Sequence, residues 1–226
     1  MPTSHPSQIN EILSLIDLAN PASVLDIGVG FGRYGFLCRE LLDIYKGQRY
    51  RKEDWKVRID GIEAFPEYLT LVHHHVYDRI LTGNALDIVD TLDTRYDLTI
   101  MIDVLEHFSR EDGLTLLRQL LKRSRNILLS TPLTVYEQDA VFDNQFEQHV
   151  HEWKREDFAE LPGVFFPANN VSLLVFAGES APTVQSAYRS RYLKKTLVEL
   201  FPFLSKLRPA HATLRRVGDG HASTPS

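Results

Sequence analysis

Apolar residues recur at close to helical spacing between Ser7 and Ala19, at positions 9, 12, 13, 15, 16 and 18, and Pro21 ends the run. A short apolar strand follows at 24–28 and carries straight into a turn with glycines at 28, 30, 32 and 35. That turn opens a helix to about residue 44, with Phe36, Leu37, Leu41 and Leu42 predicted inward. The charged stretch 46–56 reads as an exposed loop. A second strand spans 57–62, and Pro66 suits the first turn of a helix to about residue 77. A strand at 79–81 leads through Gly83-Asn84-Ala85 to a short helix at 86–92. The run 96–103 is strongly apolar and reads as a central strand. Ser109 is placed to cap a helix to about residue 123, with Asp112 at the third helical position. A buried strand at 126–130 stops at Thr131-Pro132. Beyond a polar segment to His151, a short helix from about residue 156 and two closing strands at 164–166 and 171–177 complete the pattern.

Strands that alternate with helices five times predict an α/β fold, a doubly wound Rossmann-like parallel sheet with a late antiparallel edge. At 226 residues the chain accommodates one domain, 1–182, and an appendage, 183–226. Its 43% hydrophobic and 24% charged residues are those of a globular protein and exclude a disordered one. No apolar run approaches the roughly 20 residues that span a membrane. The single cysteine, Cys38, rules out an intramolecular disulfide framework and reads as a small core residue. With a start unlike a signal peptide, it predicts a cytoplasmic protein. Charge is uneven: residues 1–182 hold 17 Lys/Arg against 28 Asp/Glu, and residues 183–226 hold 8 against 2. An acidic body argues against a nucleic-acid partner.

In sheets of this kind a ligand lies across the carboxyl ends of the strands. The predicted strand ends there are Asp26 with the glycines, Glu63, Asn84 and Asp103. Gly30-x-Gly32-x-x-Gly35 matches the dinucleotide fingerprint literally, but its acid belongs about 20 residues on, and Glu63 lies 33 past Gly30. Asp26 would also sit beside the pyrophosphate. Like charges about 5 Å apart cost on the order of 3 kcal/mol at an effective dielectric near 20. A cofactor with an ammonium group and no phosphates, such as S-adenosylmethionine, gains where a dinucleotide loses.

Together, D-x-G-x-G-x-G at 26–32, Glu63, G-N-A at 83–85 and D-V-L-E-H at 103–107 resemble a class I S-adenosylmethionine-dependent methyltransferase over roughly residues 20–178. The resemblance implies a seven-stranded sheet ordered 3-2-1-4-5-7-6. It places Gly28, Gly30 and Gly32 under the cofactor, Asp26 at its methionine end and Glu63 on the ribose hydroxyls. Asn84 would meet the adenine amino group and Ala85 would supply a backbone N–H, with Asp103 at the reaction edge.

If 103–107 forms a helical turn, Asp103, Glu106 and His107 share one face. Further on, N-Q-F-E-Q-H-V-H-E-W at 144–153 supplies His149. The pair of motifs resembles the metal site of small-RNA 2′-O-methyltransferases, which implies Asp103, Glu106, His107 and His149 as ligands of a divalent metal, with Asp at 103 where that family has Glu. It also resembles bacterial small-molecule and sugar O-methyltransferases, which implies His107 or His149 as base or substrate contact. A third reading makes Glu106 a turn cap and His149 a partner of a backbone carbonyl. The run His73-His74-His75 cannot chelate one ion, since consecutive helical residues point about 100° apart, and it reads as an incidental surface run. Tyr34 serves the pocket or the core.

The long segment 134–152 reads as a substrate lid, with Tyr136, Phe142 and Phe146 as apolar walls and Asp139, Asp143 and Glu147 for hydroxyls or cations. From 184 to 204, Tyr188, Tyr192, Leu193, Leu197, Leu200, Phe201 and Leu204 alternate with Arg189, Arg191, Lys194 and Lys195. Such a helix docks on the domain or a second subunit, or lies peripherally on the inner face of a membrane. Pro202 would interrupt it, and the end is predicted disordered. The whole reads as methyl transfer from S-adenosylmethionine to oxygen or nitrogen of a small-molecule or glycan-type acceptor. Two alternatives stand beside it: a metal-dependent RNA 3′-end 2′-O-methyltransferase and a non-catalytic S-adenosylmethionine-binding module. A nicotinamide oxidoreductase is the weakest rival.

Overall fold

The structure, a computed structural model, describes residues 4–133 and 147–201. Two compact units divide the chain, Met1–Tyr188 and Arg189–Ser226. In the first, strands β1 (Ser23–Ile27), β2 (Arg58–Glu63), β3 (Arg79–Thr82), β4 (Leu98–Ile102) and β5 (Asn126–Pro132) pair in parallel, and β6 (Ser172–Gly178) closes the sheet antiparallel to β5. The order is β3-β2-β1-β4-β5-β6. Between them lie helices α1 (Ile9–Ala19), α2 (Arg33–Arg39), α3 (Leu71–Val76), α4 (Ala85–Ile88) and α5 (Arg110–Arg123), with α6 (Ala181–Leu200) following β6.

Strand residues alternate between two cores, as a period of two requires. Val24, Leu98, Ile100 and Leu128 join Ile12, Leu15 and Ile16 of α1 and Cys38 of α2. Leu25, Ile27, Met101, Ile127 and Leu129 join Leu116, Leu117 and Leu120 of α5 on the other face. Both faces of the parallel sheet are therefore covered, which is why its strands read as continuous apolar runs. Val184 and Tyr188 belong to the first core, and the Tyr188 hydroxyl donates to Glu11 at 3.0 Å. The second unit, described through Phe201, exposes Tyr192, Leu193, Leu197 and Leu200.

Several expectations need correcting. Among the described residues the sheet has six strands, not seven. The stretch predicted at 164–166 makes a single antiparallel bridge, Phe165 to Phe176, because Pro162-Gly163 before it and Pro167 after it leave no room for a ladder. Phe36 is exposed rather than inward: α2 passes at Glu40 into a π-helical turn, and Tyr34, Cys38 and Leu42 take the buried positions. His73 is buried beneath the glycine turn, whereas His74 and His75 are exposed as expected. The expected lid residues Tyr136, Asp139, Phe142, Asp143 and Phe146, the break at Pro202, Leu204 and the C-terminal end lie outside the described residues.

Candidate active site

A cavity of about 510 Å³ opens where β1, β2, β3 and β4 end, within the range of small-molecule sites. Its floor is the turn after β1. Gly28, Gly30 and Gly32 all have positive φ, at 74°, 53° and 80°. A Cβ on Gly28 would fall 2.4 Å from Val104, so no larger residue lets the turn lie this close to the end of β4. The Gly30 carbonyl accepts from His73 Nε2 at 3.0 Å, which fixes the turn from below and accounts for the buried histidine.

Glu63 ends β2 and faces the same cavity. Its Oε2 accepts the Gly30 N–H at 2.7 Å and its Oε1 the Phe65 N–H at 2.8 Å, while burial raises its pKa above the usual carboxylate range. Each oxygen keeps a second lone pair, so the carboxylate is oriented and still able to accept from a diol. Asn84 and Ala85 also line the cavity. Asn84 caps α4, its Oδ1 accepting the Leu86 N–H at 3.0 Å, so the oxygen expected to meet an adenine amino group is already half occupied.

Asp26 lies elsewhere. It is 2% exposed and absent from the cavity wall. Its Oδ2 accepts the Tyr77 hydroxyl at 2.6 Å, and burial pushes its pKa up to about 7. The reason is the strand period: Asp26 shares a face with Val24, toward α2, while Ile27 reaches the cavity. The electrostatic choice of cofactor cannot rest on this residue. It passes to the acids that do line the cavity, namely Glu63, Asp103, Asp112 and Glu147. Among the described residues Arg33 is the single Lys or Arg beside them.

Asp103 follows β4 with φ 53°, an uncommon left-handed position for a residue other than glycine. Its Oδ1 accepts from Ser130 Oγ at 2.5 Å and its Oδ2 from Gln8 Nε2 at 2.6 Å. The next three functional residues sit in or against the 3-10 turn Leu105–His107, a tighter element than the expected helical turn. Glu106 is 1% exposed, and its Oε2 has no hydrogen-bond partner among the described residues. Burial, then the negative charges of Asp103 and Glu147, hold its pKa well above normal. His107 lines the cavity and bonds the Gln148 carbonyl through Nδ1 at 3.1 Å. A carbonyl only accepts, so Nδ1 carries the proton and Nε2 keeps its lone pair. Burial lowers the His107 pKa, favouring that neutral form. The His149 ring centroid is 5.2 Å from that of His107. One ligand atom each from Glu106, His107 and His149 lie within 4.8 Å of one another; Asp103 is not in this group.

Among the cavity residues that the sequence did not mark are Ser4, Arg33 and Tyr68, and Gln8 supports the wall from behind through its bond to Asp103. Arg33 Nη1 donates to the Ser4 carbonyl at 2.6 Å, and the Tyr34 hydroxyl lies 3.1 Å from Ser4 Oγ. The Tyr68 hydroxyl donates to Glu147 at 3.2 Å. Nothing in the local pattern marks Gln8, which is fully buried at the start of α1. Arg33 carried a signal, since it directly follows Gly32 of the turn.

No protein-family model matches the chain, and no curated protein matches it. Solved structures do. An O-methyltransferase family protein from Burkholderia thailandensis superposes with a TM-score of 0.56 at 12% identity, over 76% of this chain and 55% of that one. Human N-acetylserotonin methyltransferase, in complex with S-adenosylmethionine, gives 0.53 at 16%, over 76% and 51%. The N-terminal domain of EvdMO1, in the presence of S-adenosylhomocysteine and D-fucose, gives 0.50 at 16%, over 78% and 84%. This chain spans about half the length of the first two. It has the class I S-adenosylmethionine-dependent methyltransferase fold, with β6 as the antiparallel edge.

Proposed function

We propose that the chain transfers the methyl group of S-adenosylmethionine to an oxygen, or a nitrogen, of a small-molecule or sugar-containing acceptor. The observation that carries this reading is the charge of the cavity wall: Glu63, Asp103, Asp112 and Glu147 against Arg33. A sulfonium and an ammonium gain in such a cavity, and a pyrophosphate loses. Gly28, Gly30 and Gly32 would pass under the cofactor, Glu63 would take the ribose hydroxyls, and Asn84 and Ala85 would border the adenine. Asp103 would face the methionine ammonium, the part first expected of Asp26. The D-fucose in the EvdMO1 structure supports including hydroxyl-rich acceptors.

The chemistry is a displacement, in which alignment supplies much of the rate. The acceptor oxygen attacks the methyl carbon, the carbon–sulfur bond breaks, its electron pair stays on sulfur, and the hydroxyl proton leaves. His107 stands at the acceptor side with Nε2 unprotonated. An imidazole in that state takes the proton itself or holds a cation that acidifies the hydroxyl.

Calorimetry with S-adenosylhomocysteine tests the reading. Glu63→Ala should weaken binding ten- to hundredfold, since hydrogen bonds to a charged group contribute about 1.5–3 kcal/mol. Binding of NADH with no response to S-adenosylhomocysteine would overturn it. Tight cofactor binding without label transfer from methyl-labelled cofactor to any extract fraction would favour the non-catalytic module. Label in the RNA fraction would move the acceptor to a 3′-terminal ribose.

A further inference from the structure

A second cavity, of about 340 Å³, lies where β1 and β2 begin, at the other end of these strands from the first. Three pieces of chain form it: the loop Asn20–Ala22 before β1, the end of the π-helical turn that continues α2, and the entry to β2. Among the described residues its wall carries Lys46, Arg49 and Lys56 and no carboxylate. The active-site cavity is the reverse, and over residues 1–182 acids outnumber bases by 28 to 17. Cations gathered in one concavity repel each other and focus a field that an anion relieves.

Each cation is held in a different way. Asn20 sits at a left-handed corner, φ 45°, and its Oδ1 accepts from Lys46 Nζ at 2.5 Å, while Asp17 pairs with the same ammonium at 3.1 Å. Arg49 is brought back against the wall by the turn through Gly47. A Cβ on Gly47 would fall 2.5 Å from both the Asp43 carbonyl and Arg49 Nη1, so only glycine lets the guanidinium pack there. Nη1 donates to Asp43 Oδ1 at 2.9 Å. The same buried carboxylate also pairs with Arg39, so two guanidinium groups share one negative charge. Among the described residues Nε and Nη2 of Arg49 donate to nothing, and the Lys56 ammonium forms no ion pair.

We propose that this cavity binds the phosphate or diphosphate group of a small organic molecule. The coplanar donors Nε and Nη2 of Arg49 match two phosphate oxygens, and Lys56 adds a point charge. Pro21, Ala22, Leu42 and Val57 give the same wall an apolar part for the organic remainder. A volume of about 340 Å³ falls within the range of small-molecule sites and leaves room beyond a bare phosphate. The ligand ties the loop before β1 to the turn after α2 and to the start of β2, so its binding stabilises the folded chain. None of these residues lines the first cavity, and the proposal stands apart from the transferase reading.

The test is calorimetry of the full chain with inorganic pyrophosphate at fixed ionic strength. One site per chain is expected, with a denaturation temperature that rises as it fills. Lys56→Glu, and Arg49→Lys, which keeps the charge and loses the fork, should each weaken binding roughly tenfold or more, as loss of a charge-assisted hydrogen bond does. Lys122→Glu makes the same change in net charge at an exposed position of α5 and should leave binding unchanged. Absence of binding would overturn the proposal. So would full binding by folded Lys56→Glu, or equal weakening by Lys122→Glu, which would reduce the effect to net charge. Saturating S-adenosylhomocysteine should leave the pyrophosphate affinity unchanged, and competition would place the anion in the first cavity and overturn this site. ADP against pyrophosphate, and glucose 6-phosphate against inorganic phosphate, probe the apolar part of the wall. Tighter binding of either ester identifies the remainder as nucleoside or sugar, and weaker binding of both would overturn the organic part.

Discussion

On one side of the cavity every functional group comes from the end of a strand or the turn that follows it: Gly28 to Gly32 after β1, Glu63 on β2, Asn84 and Ala85 after β3. On the other side, His107 meets Gln148 and His149 only because a segment about 40 residues later docks against the 3-10 turn. Sheet hydrogen bonds hold the first wall in register. The second is held by a few bonds to the carbonyls of Leu105 and Glu106, and by Trp153 packed on α5. A strand-end site is a local property of the chain, and a docked site is a tertiary one. Substitutions that damage one wall should therefore spare the other.

Gly32→Ala should have the largest effect, confined to the cofactor wall. At φ 80° an alanine costs roughly 1–3 kcal/mol, and its Cβ would lie 3.0 Å from the His73 ring that braces the turn. We expect at least thirtyfold weaker S-adenosylhomocysteine binding by calorimetry, with hydrogen exchange of the Val150 and His151 amides, which hold the second wall, unchanged. Faster exchange at those two amides would refute the independence of the walls.

Gly113→Ala makes the converse test. In an exposed helix interior this change gains about 1 kcal/mol. Here the new Cβ would stand 2.4 Å from Cζ2 of Trp153, so the indole must move and take the His149 segment with it. Overpacking of this kind costs about 1–3 kcal/mol. The expected outcome is a lower denaturation midpoint and faster hydrogen exchange at the Val150 and His151 amides, with S-adenosylhomocysteine affinity nearly unchanged. A higher midpoint would show that Trp153 does not clamp this wall.

The two walls also differ in how legible they were. Glycines, Glu63 and Asn84 announce themselves at strand ends, because a buried parallel strand has a clear apolar pattern and a polar stop. Glu106 and His107 stood out as chemistry, but a sequence does not say that Glu106 points into the protein with an unpaired oxygen. Gln8 and Gly113 gave no sign, since their partners Asp103 and Trp153 lie far along the chain. The closing strand at 164–166 failed for a local reason, the prolines on either side. Asp26 lies off the cavity wall for a reason that was legible: β1 alternates, and a side chain in phase with Val24 cannot also be in phase with Ile27.

Asp26 gives the smallest predicted effect and the one that separates a support from a ligand contact. Its pKa is raised from an unfolded value near 3.9 to about 7 in the folded protein. The folded state thus holds a proton that the unfolded state has lost between those values. The stability that this proton provides is complete below about pH 4 and disappears as pH rises through about 7. At roughly 1.4 kcal/mol per pH unit, wild type should lose about 2 kcal/mol between pH 5 and pH 7 through this group. Asp26→Asn, which still offers an oxygen to the Tyr77 hydroxyl, should lack that slope and be the more stable protein at pH 8. Urea denaturation at the three pH values measures it, and parallel curves for the two proteins would refute it. S-adenosylhomocysteine affinity at pH 8 should change less than threefold. A tenfold fall with stability intact would return Asp26 to the methionine end of the cofactor and make the first wall one residue deeper.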